Sequence, residues 1–548
     1  MTTLGTLAAS YVEDFARLDP CQAAEMGVSG HESELTDYSP AGWSARAESA
    51  RRTLGALDAM PLADGQERIA AQALRERLEI ELARADAGIP DADVSVVDGP
   101  MQRLRLAVEL VDQGERTRWP DVVARLSGFA PALAGHRESL TAARHDGRIA
   151  ARRQLVGTVG QCAETAAYFA ELAGRCPDTE LRRQAVRAAD RAGEALAGFA
   201  AFLTEELLPH APVRDAVGAE RYRLEVRRQL GTDLDLAETY EWGWAELARI
   251  SDEMRDLGKQ IAPGEPLPAV FAALDADPRH QVLGVEAFRR HLQDLADRAI
   301  DDLHGRHFDI PAQLRHIECR IPPTSAGSIY YLAPSEDLSR PGQLWWTVPD
   351  PDAAIPTWTV PATVFHESVP GHHLHLGSTV LNRSLNRFQR VSAELHVGHT
   401  EGWGLYAERV MEELGHYELP AHRLGMLAGG QQLRAARVVL DIGLHLELPI
   451  PRGTGFHEGQ RWTRELGLAF LRSRVPEDDA TLTFEIDRYL GLPGQALAYK
   501  VGERAWLRAR AAQRRAKGAA FDLKEFHRTA LSLGPMGLDL LTSTLGTL

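Results

Sequence analysis

Cysteine is scarce in this chain. The 548 residues include Cys21, Cys162, Cys176 and Cys319 and no other cysteine, and no two of these form a Cys-x-x-Cys pair. That excludes a disulfide framework and a zinc-ribbon pattern. Lysine is also rare, and arginine carries almost all the positive charge, which we read as genome composition. Net positive charge is absent: 77 acidic residues against 61 basic ones leave −16 at pH 7. Nucleic acid or an anionic membrane is therefore not expected as the main partner. No apolar run approaches the roughly 20 residues of a membrane span. The opening Met1 to Ser10 has neither a basic segment nor an apolar core, so no signal peptide is expected and a cytoplasmic location is. No fixed-period repeat points to a solenoid.

What is present is ordinary for a globular protein, with 44% hydrophobic and 25% charged residues. The length allows a large core and two lobes. Residues 1–300 read as successive helices. Ile69, Ala73, Leu74, Leu78 and Leu82 make an apolar stripe over residues 66–87. Residues 233–257 make another, with Asp233 as expected N-cap and Gly258 as expected stop. The alanine- and arginine-rich run 142–208 reads as a helical hairpin. Near residue 310 the composition changes: between 310 and 356, prolines and glycines separate short apolar runs such as Ile329 to Leu332 and Gln343 to Val348. These read as short strands, with Pro341-Gly342 as a turn and one of Trp345 and Trp346 in the core. Helices resume after Pro420, interrupted by a loop at 446–462. We expect a mainly α fold, with an N-terminal helical lobe (1–300) and a catalytic lobe (301–548).

The chemistry concentrates in Thr363-Val-Phe-His366-Glu367-Ser-Val-Pro370-Gly371-His372-His373. A His-Glu pair followed by further histidines is the vocabulary of zinc hydrolases, in which imidazoles hold the ion and a carboxylate deprotonates a water. The common spacing puts the second histidine at i+4. Here that position is Pro370. On an unbroken helix six residues turn roughly 600°, which carries His372 to the far side, and His373 returns to the right face about 10 Å along the axis. Pro370 removes a helix donor and Gly371 permits unusual backbone angles, so a distorted turn that absorbs two residues is expected to return His372 to the ion. In this reading His366 and His372 are ligands and Glu367 is the general base. A third ligand is sought in Ser392 to Glu408. Glu401 and Glu408, seven apart, share a helical face, and Gly402 and Gly404 let that helix approach a neighbour. Glu408, Glu394, His396 and His399 compete with Glu401.

The segments HESVPGHH and EGWGLYAE resemble the signatures of the bacterial "domain of unknown function 885" family. Further likeness lies in Tyr330-Tyr331, Arg340-Pro-Gly342, Arg437 to His445, Pro493 to Gly502 and the stretch from Pro20 to Asp37. That family resembles helical zinc peptidases such as thimet oligopeptidase and the thermostable carboxypeptidases. The resemblance implies ligation by His366, His372 and Glu401, with Glu367 as base. It also implies a two-lobed zincin-like fold, with a small sheet beside the active-site helix and a deep central cleft. His396 and His399 depart from the pattern, where apolar or aromatic residues are expected, and suggest an altered pocket or an extra ligand.

Around this set stand further candidates. Arg437, Asp441 and His445 follow at i+4 spacing, either as an ion-pair row or as groups that orient a ligand or substrate. Pro493 is expected in the first turn of a helix on which Gln495 and Tyr499 share a face. Tyr499 is the first choice to steady an oxyanion, ahead of Tyr489, Lys500 and Arg488. Arg488, Lys500 and Arg437 are candidate anchors for a terminal carboxylate. The expected activity is zinc-dependent hydrolysis of amide bonds in short peptides, carboxypeptidase-like, with one zinc ion, although manganese or cobalt suits the same donors. The rivals are a dedicated amidase or pro-peptide-removing hydrolase for one small metabolite, an inactive binding protein, and a structural metal protein with His373 or His399 as fourth ligand.

Overall fold

The run after residue 142 forms two long helices, Arg152–Gly174 and Thr179–Phe202, which pack against each other as a hairpin. Asp178 starts the second by accepting from the backbone N–H groups of Glu180 and Leu181. Their inward faces supply Leu155, Phe169, Leu172, Leu196 and Phe199 to a core shared with Leu104 and Phe129 of two earlier helices. The computed structural model describes residues 3–547 apart from 63–64, 113–115, 323–328, 349, 351 and 353. The described residues are mainly helical, and no helix among them is long and apolar enough to cross a membrane.

Two compact units emerge. The first contains Met1–Leu224 with two short returns, Asn386–Phe388 and Asp487–Pro493; the second contains Glu225–Leu385, Gln389–Ile486 and Gly494–Leu548. The compositional change near 310 thus marks where four of the five short strands described below begin, and the first compact unit runs to Leu224 before its two returns. Helices between 225 and 300 belong with the metal motif.

Leu236–Ile261 is one of these. Its cap is Asp235, not Asp233, because the Asp235 carboxylate accepts from Ala237 and Glu238. It also runs through Gly258, whose missing side chain makes room for Leu267: a Cβ there would lie 2.9 Å from the Leu267 side chain. Five short strands follow: β1 (Gln281–Leu283), β2 (Glu318–Arg320), β3 (Tyr330–Leu332), β4 (Gln343–Trp345) and β5 (Ala354–Pro356). They form two sheets rather than one. β1 pairs antiparallel with β5, while β4 lies between parallel β2 and antiparallel β3, with Tyr331 opposite Leu344. Trp345 and Trp346 are both half-buried, one stacked on Tyr330 and the other edge-on to Phe288, so neither is a core residue. Residues 323–328, 349, 351 and 353 of the expected strand-rich segment lie outside the described residues.

Two helices of the second unit meet backbone to backbone. In Val397–Glu413 and Ala498–Lys517, a Cβ on Gly402 would lie 2.5 Å from the Gly502 Cα. Only glycine at both positions allows this approach, which seats the helix bearing Tyr499 against the helix bearing Glu401. Pro493 is not in the first turn of that helix. It precedes a turn in which Gly494 takes a positive φ of 81° and donates its N–H to Asp441 at 2.9 Å, and the helix begins only at Ala498.

Candidate metal centre

The helix Val360–Glu367 ends where the sequence requires it to. Ser368 leaves helical geometry at ψ −125°, the Val369–Pro370 bond is cis, and a second helix, His372–Leu381, begins after Gly371. Between the two helices Gly371 N donates to Phe365 O at 3.1 Å, closing a loop two residues longer than a helical turn. Trp403 Nε1 donates to the Pro370 carbonyl at 2.8 Å and holds the corner. Gly371 is required by space: a Cβ there would collide with the carbonyls of Phe365 and His366. As a result the rings of His366 and His372 face each other nearly at right angles, 87°, with centroids 4.7 Å apart.

Glu401 arrives from the helix Val397–Glu413. Its Oε2 lies 3.3 Å from His366 Nε2 and 3.4 Å from His372 Nε2. Donors about 2.0–2.2 Å from one tetrahedral ion stand roughly 3.3–3.6 Å apart, and both of these distances fall in that range. His366, His372 and Glu401 are the one such cluster among the described residues. Two turns on, Glu408 Oε1 accepts from His366 Nδ1 at 2.9 Å, which fixes the ring and turns Nε2 toward Glu401. The shared face foreseen for Glu401 and Glu408 is thus split between a ligand position and a support. Gly404, between them, carries the His366 ring directly, since a Cβ would lie 2.6 Å from Nε2, and Gly430 makes room for the Glu408 carboxylate.

Burial disfavours a charged His366 ring, but hydrogen bonds to Glu401 and Glu408 outweigh it and push its pKa up to about 10. Burial likewise opposes ionisation of Glu401, and the two histidines overcome it and hold the carboxyl well below its usual range. A carboxylate oxygen and two imidazole nitrogens brought together at one buried point form a donor set suited to a cation. Glu367 differs. Burial raises its pKa against the pull of His372 and His366, and among the described residues its carboxylate takes no hydrogen bond.

The other candidates separate clearly. The Tyr499 ring stacks on His366 at 6.3 Å, with the Arg437 guanidinium 4.8 Å above it. Lys500, one residue on, points elsewhere and is enclosed by Glu503 at 2.5 Å, Gln431 at 2.5 Å and Glu246 at 2.8 Å, so it is no substrate anchor. Arg437 gives both Nε and Nη2 to Glu485, at 2.9 and 2.7 Å. Asp441 holds the Gly494 turn and lies 3.7 Å from the fully buried His445. The i+4 row is therefore structural, and Gln495 is buried in the turn it supports. Arg488 and Tyr489 lie in the first unit, Tyr489 fully buried there.

His373 uses both ring nitrogens, one with the Tyr331 hydroxyl at 2.8 Å and one with the Leu314 carbonyl at 3.0 Å, and burial pushes its pKa down to about 4. It ties β3 to the metal helix and is no fourth ligand. His399 stacks on His375 at 5.0 Å and meets the Met536 carbonyl at 3.2 Å. His396 is the N-cap residue of the Glu401 helix, and neither it nor Glu394 joins the cluster. The extra-ligand expectation for His396 and His399 thus gives way to core packing. Sequence reasoning assigned no role to Tyr331, Trp403 or Gly430; an aromatic beside a family motif was the available signal for the first two. Replacing Glu408 by Gln is expected to weaken zinc binding about 10–100-fold without changing stoichiometry, measured by competition with a chelator.

Residues 20–545 match the family described as "Bacterial protein of unknown function (DUF885)". Among curated proteins, none matches the chain. A crystal structure of a "putative lipoprotein" from Colwellia psychrerythraea is similar at a TM-score of 0.83 and 23% identity, covering 100% of this chain and 99% of that one. A "putative lipoprotein of unknown function" from Shewanella oneidensis is similar at 0.74 and 16% identity, with both chains covered over 100% of their length. At such identities the likeness concerns the fold.

Proposed function

The chain belongs to the DUF885 family, whose description assigns no activity, and we propose from its geometry that it is a zinc-dependent hydrolase of amide bonds in short peptides, carboxypeptidase-like in action. The observation that carries this reading is the convergence of His366, His372 and Glu401 at ligand spacing, with Glu367 beside them and unbonded. A purely structural site has no use for an adjacent free carboxylate, and it recruits a fourth protein ligand. Two imidazoles and one carboxylate leave a position open.

When bound, zinc supplies Lewis acidity that makes water nucleophilic near neutral pH. The chain's own residues do the rest. Glu367 takes the proton of the attacking water and returns it to the departing amine nitrogen; its raised pKa suits both transfers. Glu408 keeps His366 in the orientation that presents Nε2. Tyr499, lying on the His366 ring, supports the oxyanion that develops on the carbonyl oxygen.

The same reading takes the fold to be zincin-like, akin to helical zinc peptidases with a deep cleft. The preference for short substrates rests on burial: His366, Glu367 and His372 are 3%, 8% and 6% exposed, which favours a small substrate over a folded protein. Among the described residues β3 pairs on one side only, which suits addition of an extended peptide. A panel of dipeptides, acylated amino acids and longer peptides, assayed with zinc and after chelation, tests the proposal. Hydrolysis that needs zinc and favours short peptides supports it. Hydrolysis of one small amide alone favours the amidase alternative, and no hydrolysis, or hydrolysis indifferent to chelation, overturns it.

A further inference from the structure

Arg434 and Arg437 lie against the Tyr499 ring and Lys500 follows Tyr499 in sequence; two of these three are neutralised from within, Arg437 by Glu485 and Lys500 by Glu246 and Glu503. Arg434 is the exception. Its Nη1 donates to the Gly429 carbonyl at 2.5 Å, its Nε is buried with no acceptor, and among the described residues it forms no ion pair. The guanidinium lies 5.4 Å from the ring of Tyr499, and that ring in turn stacks on His366. Its charge is felt at Glu367 and at Glu477, though it bonds to neither. A half-buried guanidinium without a carboxylate is a costly arrangement that an anionic ligand relieves.

We propose that Arg434 reads a free carboxylate on the substrate, and that the enzyme selects peptides whose C-terminal carboxylate lies one or two residues beyond the scissile bond. This rests on the hydrolase reading above. An extended residue spans about 3.5 Å, so a carboxylate one or two residues beyond a carbonyl at the metal set lies several ångström from it, the scale on which Tyr499 and its neighbours surround His366. Arginine suits the task, because its planar fork meets a carboxylate with two parallel donors. Arg340 is the competing guanidinium. Its Nη2 donates to the Ala333 carbonyl in the segment between β3 and β4, and its charge is felt at Tyr331, whose ring lies 6.4 Å from that of His372; Arg434 is preferred because its charge is felt at Glu367 itself.

The test uses the full zinc-loaded chain carrying Glu367→Gln, so that binding is read without turnover. N-acetyl-trialanine and its C-terminal amide are titrated by calorimetry. The acid is expected to bind about 30-fold more tightly, the low end of what truncating one partner of a buried charge pair costs. Adding Arg434→Gln should abolish that ratio while leaving amide binding unchanged, Arg434→Lys should restore part of it, and Arg340→Gln should leave it intact. Equal binding of acid and amide, binding of neither, or loss of the ratio in Arg340→Gln instead would overturn the assignment. Acid preference through Arg434 with no amide hydrolysis by the wild type would keep the carboxylate site and sink the hydrolase. Hydrolysis without acid preference would do the reverse.

Discussion

Glu367→Gln is expected to retain its zinc and to lose about 10²–10⁴-fold in kcat, the range that a positioned proton-transfer group contributes. The substitution keeps shape and removes only the capacity to accept a proton. Because the carboxylate takes no hydrogen bond among the described residues, no partner is orphaned by the change. Burial already penalises the ionised form, so the neutral amide should leave thermal stability equal or slightly higher. Lower activity with unchanged or raised stability is the signature of a group placed for function. Metal content and kcat measured on the same preparation check it. Turnover within about threefold of wild type would show that another group moves the proton, and loss of zinc would show that Glu367 is itself a ligand.

The second large effect is structural in origin. Gly371→Ala places a methyl group among the carbonyls of Phe365 and His366, which are backbone atoms and cannot swing aside. A destabilisation of about 3 kcal/mol is expected, the upper end for inserting one group into a packed site. Zinc affinity should fall with it, because the corner that Gly371 forms brings His372 to His366. Gly160→Ala is the contrasting substitution: nothing lies within 4 Å of its Cβ, in the middle of the helix Arg152–Gly174. There alanine should be neutral or stabilise by about 0.5–1 kcal/mol. Denaturant titration and zinc competition on both variants separate a general glycine effect from one specific to the corner.

These two residues also show what was legible in the sequence. His366, Glu367 and the Pro370-Gly371 interruption announce both the chemistry and the break, because proline and glycine act on the backbone within their own few residues. Helix stripes were equally readable, and the hairpin at 152–202 follows from its composition. Contacts across the chain were not. Glu401 and Glu408 share a face, and only the approach of the Val360–Glu367 helix decides which meets Nε2 and which meets Nδ1 of His366. Tyr499 and Lys500 are one residue apart, about 100° around the helix, so that one lies at the site and the other in an ion cluster. Gly404 admits a neighbour, as its place beside Glu401 suggested, whereas Gly258, read as a stop, sits inside its helix and makes room for Leu267. Asp235 rather than Asp233 caps its helix because cap geometry depends on a register that pattern alone leaves loose by two residues. Arg434 belongs to no motif; it stands out because its neighbours at Tyr499, Arg437 and Lys500, are each paired with carboxylates.

The most direct test of the metal centre is equilibrium zinc titration of the metal-free protein, run beside His366→Ala, His372→Ala and Glu401→Ala. The geometry predicts one tightly bound ion per chain in the wild type and loss of that site in each of the three variants. Absence of stoichiometric zinc in the wild type, or full binding in variants lacking these side chains, would contradict it.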